Sequence, residues 1–442
     1  MKIILAGDML FSSRNLANRL DKKLVEKLRA ADAVFANAEF TTPEENRPVA
    51  AGRGYVTAVR PGILKEFNDL NIKLISMANN HSGDFGILGI LDSLKSAQEH
   101  DLIVGGLAKS LDEARLPSFY DTSDGRIGFV TATATRGDIF AASNSGNGVP
   151  ARPGVNPLRW YEEYQVNEQQ FDQLNEISNE LGLSGSNQHG RNVEGFDAPD
   201  NETLVFGSLF EKNLTFKKAK KTEFRTEVDA NDLNEILDSI KDAKKRSDFV
   251  FLNIHTHEGV NGDWYEDQPA DFVVHTAHAA IDAGADIVIG HGAHFIRGAE
   301  LYKDKWIFYN LGSLIMEFEA GNSIIPPEMY QAYGLDGHSK PSQLHHQRAV
   351  DEKGNFKGFS GDKKFSQNII LELEINDDRR LTTLNVIPLD LGMTRDNAIK
   401  RGLPVIPSEK EAILVMDRLN AISAPFNTSF EYNEKRNFFH IR

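Results

Sequence analysis

Five short apolar runs in this chain each end on a cluster of Asp, Glu, Asn or His. No other feature constrains its fold and chemistry as much. Residues 2–6 lead through Gly7 to Asp8, and residues 33–36 lead to Asn37 and Glu39. Residues 72–77 lead to Asn79, Asn80 and His81, and residues 249–254 to His255 and His257. Residues 286–289 lead through Gly290 to His291 and His294. Short apolar runs bounded by turn signals read as strands buried on both faces. In α/β sheets, ligands gather outside the carboxyl ends of strands, so the clusters predict one convergent site.

Helical patterns separate the strands. Residues 15–30 carry Leu16, Leu20, Leu24 and Leu28 on one stripe, which predicts an amphipathic helix. Pro61 opens a helix to residue 68, and further helices are predicted over 85–99, 229–245, 269–283 and 409–419. Residues 102–104, 127–133 and 306–309 read as more strands, and 368–375 with 381–389 as a hairpin. The alternation predicts a layered α/β fold. It breaks over 138–226, where 143–159 reads as a long loop and 168–181 as a helix. A second irregular stretch, 319–362, contains Pro326, Pro327 and Pro341. The expected division is an α/β core of 1–137 and 227–442, with 319–362 as an irregular lid segment. The 138–226 insertion is a possible substrate lid.

The chain of 442 residues contains no cysteine. Thiolate zinc sites, iron–sulfur clusters and cysteine nucleophiles are therefore excluded. Carboxylate, amide oxygen and imidazole remain, and they suit one or two divalent ions: manganese, zinc or iron. A carboxylate such as Glu39 can bridge two ions, which together polarise a scissile bond and activate a water. His257 shares a strand face with His255 if that strand continues, and is expected to contact substrate. Arg152 and Arg159 flank the Pro/Gly-rich loop. Their guanidinium forks suit an anionic small-molecule or peptide-like substrate. The net charge of −15 argues against nucleic acid as a partner. The initial apolar run is too short for a signal peptide, and no stretch reads as a membrane helix. The expected compartment is the cytoplasm.

Gly7–Met9, Asn37–Glu39, Ala78–Gly86, His255, Gly284–His294 and Phe308–Leu314 together resemble the CapA family. That family is named for poly-γ-glutamate capsule synthesis and is similar in fold to calcineurin-like metallophosphatases. The resemblance implies a layered α-β-β-α sandwich carrying an inserted subdomain. It also implies roles. Asp8 would bind a first metal and Glu39 would bridge. Asn80, His255 and His291 would bind the second metal, and His294 would return to the first. His81 would act as general acid or stabilise developing charge. Asp84 could orient His81 or cap the helix that follows it. Two departures stand out. Leu10 occupies the place where metallophosphatases carry a His two residues after the first Asp, and Glu39 replaces a bridging Asp.

The expected function is a metal-dependent hydrolase of a small amide, γ-glutamyl, peptide-like or phosphoester substrate. Leu10 motivates a second reading, a metal-dependent epimerase that abstracts a proton. A third is a non-catalytic component of poly-γ-glutamate biosynthesis.

Overall fold

The computed structural model describes residues 1–317 and 323–433, and the backbone of 438–441. Two sheets stack face to face. In the first, strand Lys2–Leu10 lies between Ala33–Ala38 and Gln367–Ile375, with Ser313–Met316 also paired to it. The parallel run continues through Leu74–Ser76 to Ile103–Gly105. In the second sheet, Gly125–Thr133, Phe249–Thr256, Ile287–Gly292 and Lys305–Leu311 run parallel to one another. The hairpin of Gln367–Ile375 and Leu381–Asp390 pairs antiparallel, as its sequence pattern predicts.

Side-chain alternation assigns the layers. On the inner faces, Ile3, Leu5, Phe35, Phe129, Phe249, Phe251, Ile287 and Ile289 form one core between the sheets. On the outer face of the first sheet, Ile4, Val34 and Ile75 pack with Leu24 and Leu28 of one helix and Ile90 of another. On the outer face of the second, Val250, Leu252 and Val288 pack with Ile236, Ile240, Phe272 and Ala277. The order is helix, sheet, sheet, helix: the layered α-β-β-α sandwich. Among the described residues, no helix is long and apolar enough to cross a membrane.

Several elements differ from their sequence reading. The 15–30 helix is two helices, Leu16–Arg19 and Lys22–Arg29. Asp21 accepts hydrogen bonds from Lys23 N and Leu24 N, and so starts a new helix in mid-pattern. All four leucines of the stripe are nonetheless buried. The Gly/Ser/Asn-rich run after the Glu168–Glu180 helix forms another, Leu183–Glu194, closed at both ends by left-handed Gly182 and Gly195. Residues 160–228 also build a four-stranded sheet of their own. Within 143–159, Gly154–Val155 pairs with Leu107–Ala108. Of the 319–362 stretch, 319–322 lie outside the described residues. The remainder carries helices Pro327–Ala332 and Pro341–Ala349, each with proline in its first turn, where the missing N–H does no harm.

Phe251 sits at the centre of the inter-sheet core, 5.0 Å from the Phe35 ring and 5.4 Å from that of Phe129. Phe251→Ala should lower unfolding free energy by about 3–5 kcal/mol in urea titration, because the sheets cannot close over the lost ring. A loss under about 1 kcal/mol would contradict this packing account.

Candidate metal centre

The same alternation that builds the inter-sheet core delivers polar side chains beyond it. Strand Phe249–Thr256 points Phe249, Phe251, Asn253 and His255 inward, and His257 continues the series. Ile287 and Ile289 are followed on the same face by His291, and Phe35 by Asn37. The Lys2–Leu10 strand needs a correction to join them, because Ile3 and Leu5 have odd parity and Asp8 even. The pairing supplies it: Leu5 lies opposite Phe35, but Asp8 lies opposite Asn37, so one strand holds an extra residue. The irregularity falls at Gly7, where a Cβ would stand 1.8 Å from the Gly312 carbonyl oxygen. Glycine is required there by close approach.

The carboxylates meet the histidines between the sheets. Asp8, Glu39, His255 and His291 are fully buried, and Asn80, His81, His257 and His294 nearly so. Asp8 Oδ1 lies 2.8 Å from His291 Nδ1 and accepts from Asn37 Nδ2 at 2.9 Å. Asp8 Oδ2 accepts from Gly292 N at 2.8 Å and lies 3.3 Å from His294 Nδ1. His294 has φ of 65°, a strained backbone for a non-glycine residue, and this turns its ring toward both carboxylates. Asn80 Oδ1 stands 2.9 Å from His255 Nε2.

Glu39 is different. Neither of its carboxylate oxygens has a hydrogen bond, and neither does His257 Nε2. Glu39 Oε1 lies 3.8 Å from His255 Nε2 and 3.9 Å from His257 Nε2, and Oε2 lies 3.6 Å from His294 Nδ1. These separations are too long for hydrogen bonds. Two donors about 2.1 Å from one cation stand roughly 3–3.5 Å apart, so the gaps are close to those of shared ligands. By donor-atom spacing the site divides into two groups, Asp8–His255–His291 and Glu39–His257–His294, each with its atoms within 4.8 Å. Buried carboxylate oxygens and an imidazole nitrogen without partners are the donor set that a divalent ion satisfies. The residues present therefore fit the implied metal.

Charge follows burial. Burial and the neighbouring Asp8 push the Glu39 carboxyl well above its ordinary range. Burial alone would raise Asp8 too, but His291 and His294 beside it carry it well below. Burial lowers His255 and His257 well below the usual imidazole value, with His291 and His294 adding to it. Both rings are thus neutral near pH 7 and able to donate a lone pair.

At the rim, His81 Nδ1 lies 2.7 Å from Asp84 Oδ2. Asp84 also accepts from Thr57 N and, through Oδ1, from Arg53 Nε at 2.9 Å. It makes no cap to the Gly86–Glu99 helix. His81 Nε2 faces Thr57 Oγ1 at 3.3 Å. Behind the histidines, buried Arg297 donates to the carbonyls of His257 and Glu258 and so fixes the loop carrying His257. A cavity of about 550 Å³ adjoins the centre, lined by Tyr265, Tyr333, His345, Arg348, Phe359 and Lys364 among others. Phe359 meets His294 edge-on at 5.7 Å. Arg348 lies 5.0 Å over the Tyr55 ring, which is itself 5.9 Å from the His81 ring.

The structure thus brings together Asp8, Glu39, Asn80, His81, Asp84, His255, His257, His291 and His294. It does not bring in the two arginines expected at the substrate. Arg159 is committed to Asp232, donating from Nε and Nη2 at 2.6 Å each. Arg152 is exposed and donates to the Ala141 carbonyl. Sequence reasoning missed Asn253, Arg53 and the Arg348 wall. Only Asn253 had a local signal: a polar residue within an apolar strand, in phase with His255.

The Glu39 geometry makes a pH prediction for protein stripped of metal. A carboxyl raised in the folded state contributes stability below its unfolded pKa, about 4.3, which is lost as pH rises through the folded value. In denaturation over pH 4 to 8, chelator-treated wild type should lose stability relative to Glu39→Gln, a comparison in which the opposite, rising contributions of His255 and His257 cancel. Parallel curves for the two proteins would contradict the assignment.

Comparison with known proteins agrees with the resemblance. The profile of the family described as bacterial capsule synthesis protein PGA_cap matches residues 2–317. An uncharacterized protein of Sinorhizobium fredii is 28% identical over 444 residues, covering 98% of this chain and 91% of its own length. The PGA biosynthesis protein CapA of Bacillus subtilis is 23% identical over 65% of this chain and 54% of that protein. A solved phosphatase of Mycoplasma pneumoniae aligns with a TM-score of 0.40 at 11% identity, over 88% of this chain and 93% of its own. A putative 5'-nucleotidase of Staphylococcus aureus aligns at 0.39 and 11%, over 95% of this chain and 58% of its own.

Proposed function

We propose that this chain, which belongs to the bacterial capsule synthesis protein family PGA_cap, is a metal-dependent hydrolase. Its substrate is a small amide, γ-glutamyl, peptide-like or phosphoester compound. One observation carries this reading: the buried Glu39 carboxylate and the His257 nitrogen have no hydrogen-bond partner, yet stand at ligand spacing with His294.

Asp8, His255 and His291 would hold one ion, with Asn80 beside His255. Glu39, His257 and His294 would hold a second, His257 serving there as a ligand. Ions so held supply Lewis acidity toward the scissile group and lower the pKa of a bound water. The protein's own groups do the rest. Asp84 fixes the ring of His81 through Nδ1, and Arg53 holds Asp84 in turn. His81 Nε2 is then oriented at the rim, where it can give a proton to a leaving group or stabilise charge on the substrate. Phe359, which packs on His294, lines the cavity, and Arg348 of its wall lies over Tyr55 beside His81, so the far part of a substrate held at the centre would lie toward Arg348. The guanidinium suits a carboxylate or phosphate on its far part. A purely binding component of capsule-polymer assembly has no use for an oriented acid beside its metal donors. The relay from Arg53 to His81 therefore favours an enzyme.

Two experiments test the reading. Elemental analysis of purified protein should find close to two divalent ions per chain, and His257→Ala should reduce that toward one. A screen of chromogenic phosphoesters, anilides and γ-glutamyl anilides should show hydrolysis that chelators abolish. In a substrate so found, His81→Ala should slow turnover roughly 10²–10⁴-fold and leave the ion content unchanged. A protein that takes up neither manganese, zinc nor iron, and hydrolyses nothing in the screen, would overturn the proposal. Solvent deuterium entering an intact substrate would replace hydrolysis with epimerisation.

A further inference from the structure

Asn253 lies in the middle of the Phe249–Thr256 strand, fully buried, on the face shared with His255. A polar amide at such a position demands a partner. It has one: Asn253 Nδ2 lies 2.6 Å from His291 Nε2. Its other end, Oδ1, is buried without a hydrogen bond. Nothing but His291 therefore decides which end of the amide faces the ring. The choice is coupled to the proton on the ring, because Nδ2 can only donate and Oδ1 can only accept.

The ring has two ends with different duties. Nδ1 lies 2.8 Å from Asp8 Oδ1 and 3.0 Å from His255 Nδ1, inside the first donor group. Nε2 faces Asn253. With Nδ2 toward Nε2, the ring proton sits on Nδ1 and is donated to Asp8, and no lone pair is left for an ion. With the amide turned, Oδ1 accepts from Nε2–H and the Nδ1 lone pair faces Asp8 and His255. Histidines that bind metals donate their second N–H to an oxygen that fixes the tautomer and ring plane.

We infer that Asn253 is a positioning residue for the metal centre: its amide sets the tautomer of His291, presenting Nδ1 when Oδ1 faces the ring. This inference rests on the two-ion reading above. It assigns no contact between Asn253 and substrate. The amide serves both states, donating to the ring when no ion is present and accepting from it when one is.

Asn253→Leu removes the acceptor at similar volume. Asn253→Asp keeps an acceptor and removes the donor. Affinity for zinc, measured by competition with a chelating dye, should fall about 10–100-fold for one of two ions in Asn253→Leu. Asn253→Asp should restore it to the wild-type value or better, since a carboxylate only accepts. The visible spectrum of the cobalt-loaded protein should change in the Leu variant and recover in the Asp variant. In zinc-loaded wild type, ¹⁵N chemical shifts should place the His291 proton on Nε2. This last measurement needs no variant to fold. A His291 proton on Nδ1, or unchanged zinc affinity in a folded Asn253→Leu, overturns the inference and leaves the hydrolase proposal standing. Wild-type protein that binds no divalent ion overturns both.

Discussion

Two carboxylates, Asp8 and Glu39, are buried at full depth between the sheets, and the rest of the site is organised by what they require. Removing a charge from water costs more than any single packing contact returns, unless a partner restores the lost solvation. Asp8 has such partners in Asn37, the Gly292 amide, His291 and His294. Glu39 has no such donor and faces the Asp8 carboxylate instead. The asymmetry is visible in their acidities, which burial and neighbouring charge drive in opposite directions. A cation between the sheets would remove the asymmetry, because it would supply Glu39 with what the protein withholds.

The sheets themselves act as the ruler for this arrangement. A strand repeats every two residues, so the residues that continue Phe251, Ile289 and Phe35 inward are fixed by parity. Parallel pairing sets His255 opposite His291. The phenylalanine and isoleucine core and the donor set are thus one continuous face, apolar along the strands and polar at their carboxyl ends. The extra residue near Gly7 breaks strict alternation on the Lys2–Leu10 strand, and it is what turns Asp8 inward. Stability and chemistry are separated by a few ångströms along the same strands.

That organisation explains which parts were legible in the sequence. Asp8, Glu39, Asn80, His255, His291 and His294 stand at strand ends, and a strand end is a local pattern. The layered architecture follows from the alternation of strands and helices, also local. The grouping of donors was not legible. Whether His257 joins Glu39 and His294 depends on how a loop beyond the strand is pinned by Arg297, 40 residues further along the chain than His257. Arg53 lies in a loop whose sequence carries no periodicity, and only the fold brings it to Asp84. Arg152 and Arg159 had suitable chemistry for an anionic substrate, but Asp232 already engages the second of them. Asp21 was legible as a cap residue in principle. The leucine stripe running across it concealed the helix break, since both short helices keep the same buried face.

Crystals of the protein grown with manganese or zinc, measured across the metal's absorption edge, test the central claim most directly. Two anomalous peaks are expected, one ligated by Asp8, His255 and His291 and the other by Glu39, His257 and His294. A site with no anomalous peak, or with Glu39 and His257 turned away from any ion, would contradict it.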